Sequence, residues 1–155
     1  MGSEKYPDEN EFSRLLSQNG GYSNAYTENE LTNYQFKVNY DKLEIALDMK
    51  ANLLFKPLLK EEAMMREIQA VDSEFEGNYS YDNVRAELIL AESITDKMHP
   101  CASFGWGNKK SLIEKGEDTL WKDLRSFFDS HYSADRTYVV IQTMIPDGKD
   151  LSELR

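Results

Sequence analysis

Along this chain the spacing of apolar residues changes several times, and each change marks an element. Phe12, Leu15 and Leu16 fall at helical spacing after a start near Asp8 to Glu11, and Gly20-Gly21 stops the pattern. Apolar and polar residues then alternate in Tyr34-Gln35-Phe36-Lys37-Val38, the mark of a strand with one buried face. Ser23-Asn24-Ala25-Tyr26-Thr27 reads as a more polar strand, joined to it through Glu28-Asn29-Glu30 and placed at a sheet edge. Helical spacing returns in Leu43, Ala46, Leu47 and Leu54, and Pro57 ends it. From Lys60 onward, Met64, Ile68, Val71 and Phe75 fall at i, i+4, i+7 and i+11, a strong amphipathic signal. Val84, Leu88 and Ala91 predict a further helix, and Leu120, Leu124, Phe127 and His131 another. Between them Met98 to Asn108 is punctuated by Pro and Gly as a loop. Tyr138-Val139-Val140-Ile141 reads as a well-buried strand. The order predicts an α+β domain, with helices packed on one face of a mainly antiparallel sheet.

Composition narrows the class. A chain of 155 residues that is 40% hydrophobic and 12% aromatic carries enough apolar material for a core and is not a disordered tail. With no repeat or Ser/Gly linker, residues 1–155 read as one domain. Its 18 basic against 28 acidic residues leave a formal charge of −10, which disfavours nucleic acid as a partner. No apolar stretch approaches the ~20 residues of a membrane span. The N-terminal Met1 to Asp8 lacks the apolar core of a signal peptide. The single cysteine, Cys101, excludes an internal disulfide and fits a reducing compartment. The expectation is a soluble, cytoplasmic protein.

The residues that carry candidate chemistry are Glu67 and Glu74. Seven positions apart, they lie within roughly 20° of each other around a helix axis. Ala63 and Ala70 share their stripe, directly beside the Met64/Ile68/Val71/Phe75 stripe. The plainer reading is a solvated helix edge with local pairing to Arg66. The sharper one is a metal, with one carboxylate as ligand and the other in support, since about 10 Å of rise separates them. Only two histidines are present, His99 in a loop and His131 on a helix, and they form no pair at one-turn spacing. Gly105-Trp106-Gly107-Asn108 is too short for a phosphate loop and reads as a turn anchored by the Trp106 ring. Cys101 has no context of a catalytic thiol, and Asn78-Tyr79-Ser80 matches a glycosylation sequon without a secretory signal.

Several segments together resemble one family. Met1 to Glu11 resembles the stretch just after the zinc-binding motif of the insulinase (pitrilysin-type) metalloproteases. Gly20 to Thr27, with Thr32-Asn33-Tyr34, is similar to their active-site edge strand, and Leu43 to Asp48 with Pro57-Leu58 to the following helix. Arg66-Glu67-Ile68-Gln69-Ala70-Val71-Asp72-Ser73-Glu74 resembles their second metal-binding helix. His99-Pro100, Phe104 to Asn108 and His131-Tyr132-Ser133 complete the series. The resemblance implies that Glu74 is the third ligand of a His-His-Glu zinc site and that Glu67 supports that site from behind. It also implies that Asn24 and Ala25 pair through their backbone with an extended peptide substrate.

The family's inverted motif, His-x-x-Glu-His, carries two zinc ligands and the general base, and it is absent from these residues. The resemblance therefore implies a partial peptidase N-terminal domain, truncated at its N-terminus, with no catalytic base of its own. Zinc is the cofactor of the intact form and is not expected to bind tightly here. The implied partners are peptide substrates and the remaining domains of the same enzyme. The alternative is a non-catalytic family member acting as a structural or peptide-binding module. Loss of the preceding strands and the motif helix is further expected to uncover the apolar partners of the Met64/Ile68/Val71/Phe75 stripe and leave the chain marginally stable or associated.

Overall fold

The computed structural model describes residues 2–144 except 29, 95, 97, 100, 101, 103 and 104. The chain folds as two compact units, one made of residues up to Tyr26, Thr32–Leu59 and Phe127 onward, the other of Thr27–Leu31 and Lys60–Ser126.

In the first unit, α1 (Glu11–Gln18) starts where Asp8 accepts the Asn10 N–H at 2.9 Å and pairs with Arg14 at 2.6 Å. It ends as its spacing predicts. Gly20 takes the left-handed conformation that lets the Gly21 N–H reach the Leu16 carbonyl at 2.8 Å. The hairpin follows, with β1 (Tyr22–Thr27) paired to β2 (Thr32–Lys37) and the Glu28 N–H bonded to the Leu31 carbonyl at 2.8 Å. A 3₁₀ turn (Tyr40–Lys42) leads into α2 (Leu43–Phe55). Phe12 and Leu16 of α1 pack with Ala46 and Met49 of α2, and Phe36 and Val38 press onto that core from the hairpin side. Leu16 is 1% and Met49 2% exposed. Helices therefore cover one face of an antiparallel sheet, as the α+β reading requires.

The N-terminal segment is strapped to the end of α2. Ser3 bridges Pro57, the Leu58 N–H reaches the Gly2 carbonyl at 3.0 Å, and the Glu4 N–H reaches the Lys56 carbonyl at 3.2 Å. A side-chain staple reinforces it: Lys5 Nζ lies 2.7 Å from Asp48 Oδ2, and the Tyr6 hydroxyl donates to the same oxygen.

In the second unit, α3 (Glu61–Asn78) buries Met64, Ile68 and Phe75, and α4 (Asp82–Ser93) buries Val84. The Trp106 ring meets Phe75 edge-on at 6.1 Å, which bears out the anchored turn expected at Gly105–Asn108. One turn of helix, α5 (Lys109–Leu112), follows it and had no signal in the apolar spacing. Asn108 and Ser111 cap it reciprocally, and Asp72 of α3 accepts the Lys109 N–H at 2.8 Å. The last long helix, α6 (Glu117–His131), begins in this unit and contributes its final turn to the first, where a 3₁₀ turn (Ala134–Arg136) follows.

On the expected stripe, Met64, Ile68 and Phe75 are buried. One expectation fails. Tyr138–Ile141 forms no strand: it takes no regular structure and lies open to water, with Tyr138 98% and Val140 93% exposed. An apolar β-branched run specifies strand propensity, whereas a strand also needs a hydrogen-bonding partner, and none lies beside it among the described residues. Asn29, Pro100, Cys101 and Phe104 lie outside the described residues, so the readings placed on them are not addressed by the fold.

Candidate functional site

The two sets of candidate residues lie in different units. Glu67 and Glu74 sit on α3 of the second unit, and both side chains are exposed. The helical spacing puts them on one side of the axis, but the border of the buried face expected from the sequence is open to water. Ala70 between them is exposed and Ala63 is half-buried. What surrounds Glu74 is ordered by its neighbours. Asp72, two positions before it, holds the backbone of α5, and Phe75, next to it, carries Trp106. The Glu74 carbonyl accepts Asn78 Nδ2 at 2.8 Å, which tightens the last turn. Asp72 escaped the sequence reading because its partner lies 37 residues away.

Neither histidine adds a ligand beside these acids. His99 is exposed, and its N–H bonds the Asp96 carbonyl at 3.1 Å. His131 is exposed in the last turn of α6, with its ring 4.6 Å from Phe127 and Nδ1 3.4 Å from Arg136 Nη1. Among the described residues no three His, Cys, Asp or Glu side chains converge on a point where a metal ion could sit. A catalytic zinc takes three protein ligands, and the arrangement here offers one carboxylate from α3, so these residues do not make a zinc site by themselves.

Asn24 and Ala25 are neighbours on β1, which is exposed along its whole length. The strand is positioned by β2. Tyr34 meets Tyr132, hydroxyl to hydroxyl, at 2.6 Å, and Phe36 stands edge-on to Phe12 at 5.6 Å. Lys50 lies 4.8 Å over the Tyr34 ring and 5.5 Å over the Phe12 ring, and burial pushes its ammonium below the usual lysine range. Burial, with the Tyr132 hydroxyl in support, pushes the Tyr34 phenol above its usual range. Gly21 is required at the entry to β1, since a Cβ there would stand 2.1 Å from the Lys37 carbonyl oxygen. In an antiparallel ladder, outward and inward backbone groups alternate. Counting from the Glu28–Leu31 closure, Ala25 presents its N–H on the free edge, where the Asn24 Oδ1 accepts it at 2.9 Å. Strand addition at Ala25 therefore requires the Asn24 side chain to let go. The signal for this contact was an Asn inside a strand, where its propensity is poor.

A two-stranded edge presented on a helical layer, with an acidic helix elsewhere in the chain, is the α+β arrangement of the pitrilysin-type fold. The crystal structure of pitrilysin superposes with a TM-score of 0.78 at 31% sequence identity, covering 87% of this chain and 14% of pitrilysin. The profile of the family described as Insulinase (Peptidase family M16) matches residues 1–100, and the chain belongs to that family. Among curated relatives, the Arabidopsis thaliana "Insulin-degrading enzyme-like 1, peroxisomal" is 41% identical over 143 residues, 90% of this chain and 14% of its own length. The Arabidopsis "Nardilysin-like" protein is 48% identical over 122 residues, 76% of this chain and 12% of its own. Human insulin-degrading enzyme is 39% identical over 145 residues, 91% of this chain and 14% of its own. The chain thus spans about one seventh of the length of the relatives it matches. No helix of the described residues is long and apolar enough to cross a membrane.

Proposed function

We propose that these 155 residues are part of the N-terminal domain of an insulinase-type zinc metalloendopeptidase, one that hydrolyses peptides held as an extended strand. The observation that carries the reading is the family match over residues 1–100, a span that contains Asn24, Ala25, Glu67 and Glu74 together. In this reading Glu74 is one protein ligand of the zinc, and Glu67 stands behind it as a support. Both side chains are exposed and neither is used by the core, so both remain available for that work. The outward backbone of β1 at Ala25, released by the neighbouring Asn24 side chain, takes the peptide by strand addition. When bound, the metal supplies an activated water; these residues supply one ligand and one strand edge. The remaining domains of the enzyme are the natural partners of the chain. Its charge of −10 supports peptide rather than nucleic-acid partners, and its single cysteine supports a cytoplasmic setting.

The chain contains no His-x-x-Glu-His sequence, so the purified 155-residue protein is expected to hold well under one zinc per chain and to leave a quenched peptide uncut. Zinc-dependent, chelator-sensitive hydrolysis by that protein overturns this inactivity. Fusing a His-x-x-Glu-His helix ahead of Gly2 tests the ligand roles. Glu74→Gln should then abolish stoichiometric zinc, and Glu67→Gln should weaken zinc by about tenfold. Unchanged zinc in the Glu74 variant removes Glu74 from the ligand set.

The exposed β1 edge, in a chain without a histidine pair, favours a second reading: a peptide-binding module without catalysis. Binding of an extended peptide that is lost in Ala25→Pro, with no cleavage in any longer form of the protein, selects it.

A further inference from the structure

The outer face of the hairpin carries aromatic side chains that the fold itself does not use. β1 and β2 have six residues each, and their register is set at both ends. The Glu28 N–H closes on the Leu31 carbonyl at one end, and Gly21 lies against Lys37 and Val38 at the other. Tyr22 therefore stands opposite Lys37, Asn24 opposite Gln35 and Tyr26 opposite Asn33. Side chains alternate along a strand, and Phe36 packs on Phe12 of α1. Ser23 and Ala25 thus share the helical side, while Tyr22, Asn24 and Tyr26 share the outer one. Tyr22 is 62% exposed, and its side chain makes no hydrogen bond or ring contact among the described residues. Its base is rigid, because Gly21 beside it packs too closely on the Lys37 backbone to shift.

We propose that Tyr22 is a specificity-determining residue of the β1 edge, one that selects an aromatic side chain at the peptide position opposite it. The inference rests on the strand-addition reading and adds to it the class of residue that is selected. Ser23 and Ala25 turn their backbone N–H and C=O groups to the free edge, so an antiparallel peptide makes its hydrogen-bonded pairs with them. Its residues opposite Tyr22, Asn24 and Tyr26 then fall in the non-hydrogen-bonded pairs, where side chains of adjacent strands come closest. A ring two positions from the residue opposite Asn24 lies beside the Tyr22 ring, on the outer face. A cross-strand aromatic pair of this kind is worth about fivefold in affinity over alanine. Tyr26 shares the face but is less exposed, at 48%, and stands next to the turn rather than at the fixed end.

The test measures binding of fluorescein-labelled Ser/Thr nonapeptides, with Tyr or Ala at the centre, to the 155-residue protein by fluorescence polarisation. The Tyr peptide should bind about fivefold tighter than the Ala peptide. Tyr22→Ala should bring that ratio close to one, Tyr22→Phe should keep it, and Tyr26→Ala should leave most of it in place. Tyr22 is exposed, so its variants fold as the wild type does, and thermal unfolding checks this. If neither peptide binds, or if Ala25→Pro binds both as well as wild type, the strand-addition reading fails and this inference with it. Binding that Ala25→Pro abolishes, with a Tyr preference that is absent, unchanged in Tyr22→Ala or lost only in Tyr26→Ala, overturns this inference alone. A preference seen in the 155-residue protein but missing from a longer form means that further polypeptide covers Tyr22, and it overturns the inference as well.

Discussion

In the first unit, Leu16, Ala46 and Met49 are sealed between α1 and α2, and even the polar side chains nearby are engaged, with Asp48 holding both Lys5 and Tyr6. In the second unit, α3 buries Met64, Ile68 and Phe75 on one side and leaves Glu67 and Glu74 in water on another. Both helices follow the same apolar spacing. They differ in what becomes of their remaining groups. In one, the polar residues beside the core fasten the fold. In the other, two carboxylates are spent on nothing within the described chain. Exposed acids on a helix are common, and they acquire meaning only where a second reason points to them. Here that reason is membership of a metallopeptidase family.

The contrast predicts where substitutions hurt. Leu16→Ala should have the largest effect, about 3 kcal/mol, because the deleted side chain leaves a cavity between two helices that cannot both close on it. Denaturant unfolding followed by circular dichroism measures it. A loss below about 1 kcal/mol would mean that α1 is only loosely seated.

A smaller loss, with a pH signature, is expected from Asp48→Asn. The Lys5 ammonium and then the Tyr6 hydroxyl hold the Asp48 carboxyl below its usual range. A lowered folded value means that the staple contributes fully above about pH 4 and is lost as the pH falls through that lowered value. The gap in melting temperature between wild type and Asp48→Asn should therefore be widest near neutrality and close in acid. A gap that widens on acidification contradicts the assignment.

The same contrast explains what could be read from the sequence. Helices announced themselves where one face is apolar over three or more turns, as with Met64, Ile68 and Phe75. The hairpin announced itself because Tyr34 to Val38 alternates, and Phe36 and Val38 do face the core. Features set by distant partners stayed hidden. Met49 is buried because α1 lies against it, off the stripe of Leu43, Ala46, Leu47 and Leu54. The short α5 is capped by an aspartate 37 residues earlier. Tyr138–Ile141 was misread for the complementary reason: its residues have the right propensity, and the partner that would bury them is absent from the described chain. The candidate acids fall between these cases. Spacing alone placed Glu67 and Glu74 on one stripe, and only the family resemblance favours a ligand over an ordinary solvated edge.

Asp72 offers a finer probe of α3. Its carboxylate accepts the Lys109 N–H, so Asp72→Ala should cost about 1 kcal/mol, the usual loss for a helix cap. Faster exchange of the Lys109 amide in the variant, with the α3 amides unchanged, would localise that loss. If the Lys109 amide exchanges equally fast in wild type and variant, the cap does not form in solution.

The smallest effect is expected at the most chemically interesting position. Glu74 is exposed, and no side-chain hydrogen bond or ion pair of its carboxylate is found among the described residues, so Glu74→Gln should shift the unfolding free energy by less than about 0.5 kcal/mol. The amide keeps the size of the side chain and removes its charge, which separates a structural need for the group from a need for its anionic oxygen. Stability that is unchanged in the 155-residue protein, beside zinc that is lost from the histidine-motif fusion, identifies a carboxylate with a chemical use and no folding use. If the substitution instead destabilised the chain by several times that amount, Glu74 would belong with Asp48 as a fastening residue, and the division between the two units would fail at the residue on which it most depends.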